Sequence, residues 1–277
     1  ILNYILIFGA LGIPAQGISG AAIASVISEA VAVIHFIIYT QKNINPCRYG
    51  FKKRITVDCT ILKEILSISI WMMLQHGLVF GSWFVFFITI EHFGERSLAI
   101  TNIVRNISSF LFLFVQAFAS VVSSLVGNLI GEDKSNSILY VCKKVIFLCY
   151  ITILPIIILF VLFPSYILRI YSDNAALVFE AIPTLKVMLT SYLIAVPTFV
   201  FFSVVSGIGH AVASLSIAFI SLFIYIMYVE AIGHFSSSVP LLWTSEHVYF
   251  SCVFILSLYH IHHWRMNLYQ SRQKINH

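Results

Sequence analysis

Seven stretches of this chain, at 17–40, 62–90, 98–130, 145–163, 183–206, 211–233 and 240–260, are long and apolar enough to cross a bilayer. A hydrocarbon core of ~30 Å takes about 20 such residues in a helix. Backbone polar groups in lipid have to be satisfied within the segment, so the spans are expected to be helices and the chain an all-α polytopic membrane protein. Composition excludes soluble folds: 60% of residues are hydrophobic and only 10% charged, against about a quarter charged in soluble domains.

The opening ILNYILIFG reads as the tail of an eighth span. It has neither the basic start nor the small-residue cleavage site of a secretory signal. The chain is therefore expected to be the C-terminal part of a longer protein.

A net charge of +5 could suggest nucleic acid, but the placement of the cations argues against it. Lys42, Arg48, Lys52, Lys53 and Arg54 fall in the connection 41–61, Lys134, Lys143 and Lys144 in 131–144, and Arg265, Arg272 and Lys274 in the tail. The other connections hold mainly Glu91, Glu95, Arg96, Arg169, Asp173, Glu180, Glu230 and Glu246. Positive charge gathers on the cytoplasmic side of membrane proteins. Both basic connections and the C-terminus are thus expected in the cytoplasm, which the alternation of spans also requires.

Five cysteines, odd in number and without metal-ligand spacing, read as reduced structural thiols. HIHHW (260–264) offers no tetrahedral ligand set on one helix end, so no metal is expected. P-loop, HExxH, GxSxG and dinucleotide signatures are missing, and the chain is not expected to be an enzyme.

Polar residues inside the spans carry the functional reading. Asn102, Arg105, Asn106, Ser109, Gln116, Ser120 and Ser123 recur at i+3, i+4 and i+7, along one helical stripe. Either they line an aqueous cavity or they form a polar seam between helices; lipid would suit neither Arg105 nor the amides. Glu29 lies mid-span one turn after Ser25, and an intramembrane carboxylate is a functional candidate unless it is neutral and bonded to a neighbour. Gln75 aligns with Ser82 and adjoins His76, which reads as a packing residue rather than a proton carrier. Gly17, Gly20, Ala21 and Ala24 make small-xxx-small spacings that let a second helix approach closely. Pro155 and Pro197 are expected to kink their spans.

Three stretches, LNYILIFGALGIPAQGISGAAIASVISE (2–29), GERSLAITNIVRNISSFLF (94–112) continued by SSLVGNLIGEDKS (123–135), and VVSGIGHA (204–211), together resemble the multidrug and toxic compound extrusion (MATE) transporters. The resemblance implies a partial fold of that family. Residues 1–40 would be the end of the N-lobe (helices 5 and 6), 41–61 a cytoplasmic inter-lobe linker, 62–264 the six-helix C-lobe and 265–277 a cytoplasmic tail. Helices 1–4 would be missing partners.

It also implies a multi-pass protein of the plasma (inner) membrane, surrounded by lipid, that exports organic and often cationic small molecules by Na⁺ or H⁺ antiport, with no other cofactor. Alternating access in such repeat-built transporters rocks two lobes about a midplane site. Asn3 stands where many members carry Asp, and Ser25 where the family has a helix-6 Thr. With Glu29 they become candidates for cation or proton coupling, around an Asp expected in helix 1. Val79 and Ala195 replace the acids that NorM-type members carry in helices 7 and 10. Gln75, His76, Asn102, Arg105, Asn106 and Gln116 become candidates for the substrate cavity. Two alternatives remain open: a flippase for lipid-linked oligosaccharides, for whose pyrophosphate only Arg105 and Lys186 offer charge, and a non-transporting fragment.

Overall fold

A computed structural model describes residues 2–9, 12, 14–43 and 58–275, with Ile68 and 267–275 as backbone alone. Most of the connection expected as a linker, 44–57 with its basic run at 52–54 and Cys47, lies outside the described residues. Ten α-helices and one 3-10 turn account for nearly all of the rest, and no strand occurs among the described residues. The chain divides into two compact units, Ile1–Cys59 and Thr60–His277.

The first unit is a helical pair, α1 (Leu2–Phe8) and α2 (Gly17–Asn43). Small residues set their approach. Gly20 and Ala24 are the buried positions of α2, and Leu6 is the buried position of α1. A Cβ on Gly20 would run into the Leu6 backbone carbonyl, the close approach that small residues permit in lipid. The Leu6 carbonyl also accepts from the Gln16 amide at 3.0 Å, which occupies an acceptor left free at the helix end.

In the second unit, α3 (Cys59–Glu91), α4 (Glu95–Gly131) and α5 (Ile138–Leu162) are followed by the short α6 (Pro164–Arg169). Then come α7 (Ala175–Gly207), α8 (Ala211–Phe235), the short α9 (Val239–Trp243) and α10 (Ser245–Ile275). The six long ones are the spans the apolar runs announce. Their ends differ from the sequence expectation. α5 begins at Ile138, so Lys143 and Lys144 lie on the helix and not in a connection. A long cationic stem can lie along a helix and place its charge elsewhere, and the Lys144 ammonium lies 4.7 Å from the centre of the Tyr140 ring. α7 begins eight residues before Pro183, where the Asn174 side chain accepts from the amides of Ala176 (3.1 Å) and Leu177 (3.3 Å), a helix-start bond that apolar runs do not reveal. α10 continues through Arg265 to Ile275, over the segment read as a tail.

The axis of this unit is α7, which touches α4, α5, α6, α8, α9 and α10. Leu185, Met188, Ala195 and Val196 of α7 meet Val104, Leu111 and Val115 of α4, Cys149 and Ile153 of α5, and Tyr225 and Val229 of α8. Where α4 and α7 converge, Gly207 removes the obstacle: a Cβ there would stand 2.7 Å from the Ser123 carbonyl oxygen. The α4 to α5 turn is closed by Lys134, which donates to Glu132 at 2.8 Å. That bond and the paired charges hold the Glu132 carboxyl below its ordinary value and raise the Lys134 ammonium. The contribution is small in water, and it is lost as pH falls through the lowered Glu132 value.

α7 passes through Pro183 and Pro197 without a break, and α5 through Pro155. Proline at position 197 has no amide to offer the carbonyl four residues back. That carbonyl, on Leu193, accepts instead from the Tyr150 hydroxyl of α5 at 2.5 Å.

Candidate functional site

α4 has two chemically opposite faces. Val104, Ile107, Leu111, Val115, Ala119, Val122 and Val126 are buried against the bundle. Arg105, Asn106, Ser109, Gln116 and Ser120 are exposed, with Asn102 and Ser123 partly so. Side-chain bonds from this stripe stay on its own helix: Asn102 donates to the Leu98 carbonyl (3.0 Å), Ser109 to that of Arg105 (2.9 Å) and Ser120 to that of Ala117 (2.9 Å). Among the described residues none reaches another helix. Arg105 pairs with no carboxylate there either. Its guanidinium lies 5.1 Å from the centre of the Phe87 ring of α3, which attracts the charge while leaving the in-plane N–H donors free.

The same helix is fastened from behind. Tyr192 of α7 lies at Ser108, with its phenol 2.6 Å from the Ser108 carbonyl and 2.9 Å from the hydroxyl. The exposed stripe therefore sits on a helix held by both apolar packing and a polar clasp.

On α3, Gln75 is half-buried and His76 exposed, while Ser82 is buried and bonded to the Val79 carbonyl at 2.8 Å. No residue of α3 before Ser82 is buried among the described side chains. Its far end is anchored by Phe86, edge-on to Trp243 at 5.6 Å, and by Thr89 against Gly233. An open crevice of about 680 Å³ separates Gly77 and Leu78 from Leu215 and Phe219 of α8. Its lining is apolar apart from Ser216, so it offers little to orient a polar ligand. Ala195 lies fully buried in the core, and Val79 is half-buried.

In the first unit Asn3, Ser25 and Glu29 are all exposed. Ser25 donates to the Ala21 carbonyl at 3.1 Å. No bond joins the three among the described residues.

One acid stands elsewhere than the sequence suggests. Glu246 belongs not to a connection but to the first turn of α10, where it is half-buried. The available signal is its position, an acid one turn into an apolar run, where a helix start favours negative charge.

A family model described as MatE matches residues 71–229 of this chain. The probable multidrug resistance protein YoeA of Bacillus subtilis is 25% identical over 192 residues, covering 69% of this chain and 42% of YoeA. The probable multidrug resistance protein NorM of Thermotoga maritima is 24% identical over 225 residues, 80% of this chain and 47% of NorM. The chain thus spans less than half the length of either relative. In fold it is similar to a MATE protein crystallised with MaL6, at a TM-score of 0.77 and 17% identity over 98% of this chain and 60% of that one. An outward-facing multidrug resistance MATE transporter of the MOP superfamily gives the same score and coverage. With the family model spanning more than half of its residues and its helices following that fold, this multi-pass membrane chain belongs to the MatE family, the multidrug and toxic compound extrusion transporters.

Proposed function

We propose that the chain forms the end of the first lobe and the six-helix second lobe of a secondary active exporter of organic, often cationic, compounds. Helices 1–4 of the first lobe would be supplied by the rest of the protein, and transport would be driven by inward movement of Na⁺ or H⁺. The observation that carries this reading is the α4 stripe, polar along a helix long and apolar enough to cross a membrane and turned away from the bundle that holds it. Lipid is a poor neighbour for a row of amides and an arginine. A water-filled cleft between lobes is a good one. Asn102, Arg105, Asn106 and Gln116 would form this wall of the cleft, with Gln75 and His76 contributed by α3. Coupling would fall to the first unit, through Asn3, Ser25 and Glu29. The protein would lie in the plasma membrane with its C-terminus in the cytoplasm.

The test is efflux of a fluorescent organic cation from cells lacking their own exporters, with the full-length protein expressed. Asn106→Leu with Gln116→Leu is expected to lower the efflux rate at least about tenfold, the equivalent of one or two lost polar contacts of ~1 kcal/mol each, while membrane abundance is unchanged. Unaltered efflux would remove α4 from the pathway. Glu29→Gln is expected to flatten the dependence of efflux on the ion gradient, and an unchanged dependence would remove Glu29 from coupling.

A further inference from the structure

The two arginines of α4 differ in how their charge is met. Arg96, in the first turn, reaches Glu180 of α7 at 2.6 Å and is balanced within the unit. Arg105, further along the same helix, is exposed and pairs with no carboxylate among the described residues. The sequence of this wall supplies none: α3 has no acid between Glu64 and Glu91, and α4 has none between Glu95 and Glu132. The polar stripe therefore carries one fixed positive charge and no negative one.

The guanidinium is placed by its surroundings. The Phe87 ring of α3, whose centre is 5.1 Å away, is itself set by Trp83 at 6.0 Å and, edge-on, by the fully buried Phe86 at 6.1 Å. A ring takes up the flat face of a guanidinium and leaves the donors at its edge. One turn to either side, Asn102 donates to the Leu98 carbonyl and Ser109 to the Arg105 backbone carbonyl. No side chain among the described residues accepts a hydrogen bond from the Arg105 fork.

An unbalanced arginine on a membrane-crossing helix calls for a partner. Its planar fork of donors matches a carboxylate bidentately, which a lysine cannot do. The same charge works against a cationic ligand, and more strongly where protein walls replace water. We propose that Arg105 binds the carboxylate of the exported compound, which makes the cargo an organic anion or zwitterion and not a plain cation. This rests on the reading of α4 as a wall of the transport cleft and narrows what passes through it.

The experiment uses the full-length protein in phosphatidylcholine nanodiscs and follows binding by fluorescence anisotropy, with empty nanodiscs as the blank. The probes are rhodamine B, a zwitterion with a free carboxylate, and its methyl ester, the same dye as a net cation. Wild type is expected to bind the acid at least about tenfold tighter than the ester, the equivalent of one charge-assisted hydrogen bond. Arg105→Gln is expected to abolish that preference by weakening the acid alone. Arg105→Lys, which keeps the charge without the fork, is expected to retain part of it. Equal binding of the two dyes by wild type, tighter binding of the ester, binding of neither, or a preference that survives Arg105→Gln overturns the proposal; the acid and ester comparison in wild type stands without any variant.

Nanodiscs containing phosphatidylglycerol separate a cargo carboxylate from a lipid phosphate. A preference unchanged by the anionic lipid keeps Arg105 with the cargo, whereas its loss assigns Arg105 to a lipid headgroup and overturns the proposal. Acid preference without efflux of either dye would count against the proposed export function and leave this site standing. Efflux of the ester with no preference for the acid would do the reverse.

Discussion

At Pro197 a single residue dictates a contact two helices wide. The missing amide orphans the Leu193 carbonyl in the middle of α7, and Tyr150 of α5 supplies the donor. An unpaired carbonyl in a dry interior is costly, while interhelical bonds in bilayers are individually modest. Tyr150→Phe is therefore expected to destabilise by about 1–2 kcal/mol. In a Pro197→Ala background, where the backbone repairs its own bond, the same change should cost close to nothing. A double-mutant cycle of unfolding in detergent measures the difference, and equal costs in both backgrounds would show that Tyr150 serves some other purpose. None of this can be read from the sequence, because 43 residues separate Tyr150 from Leu193 and a tyrosine in an apolar run looks like any other packing residue.

At the scale of elements, the spans are legible because lipid leaves a chain few options, and apolar runs of this length can only be helices. Their ends are less so. Hydropathy stops at a charge, whereas α5 carries Lys143 and Lys144 on its second turn and α10 runs on past Arg265. The polar stripe of α4 is visible because it obeys helical periodicity, and the same rule places Val104, Leu111 and Val115 opposite it. The α4 to α7 seam shows how a small residue governs whole helices. At Gly207 any side chain meets the Ser123 backbone, and backbone cannot swing aside as a side chain can. Gly207→Val is expected to cost about 1–3 kcal/mol by overpacking and to lower the melting temperature in detergent. Gly127→Ala, whose added carbon would meet Gly207 at an ordinary 3.9 Å, should be nearly neutral. Equal shifts for the two would mean that the seam is looser than its geometry.

For the whole molecule, the order of helices fixes sidedness once one loop is placed. α5 crosses once between Lys134 and Asp173, both exposed, so the two must lie on opposite faces. With basic loops inside, an impermeant maleimide added to intact cells should label Asp173→Cys in a cysteine-free background, and should label Lys134→Cys only after permeabilisation. The reverse pattern would invert the proposed orientation. Labelling of both from outside would mean that α5 does not span.

The exchange of partners at Leu193 has a mechanical side. Where a helix is sealed by its own amides, bending stretches the backbone ladder itself. In the middle of α7 the seal is a phenol at the end of a rotatable side chain, and water or another hydroxyl can take its place. The central helix thus has a joint whose stiffness is set by α5, so a movement of α5 against α7 would be felt as a change in curvature along the element that touches nearly every other helix of its unit.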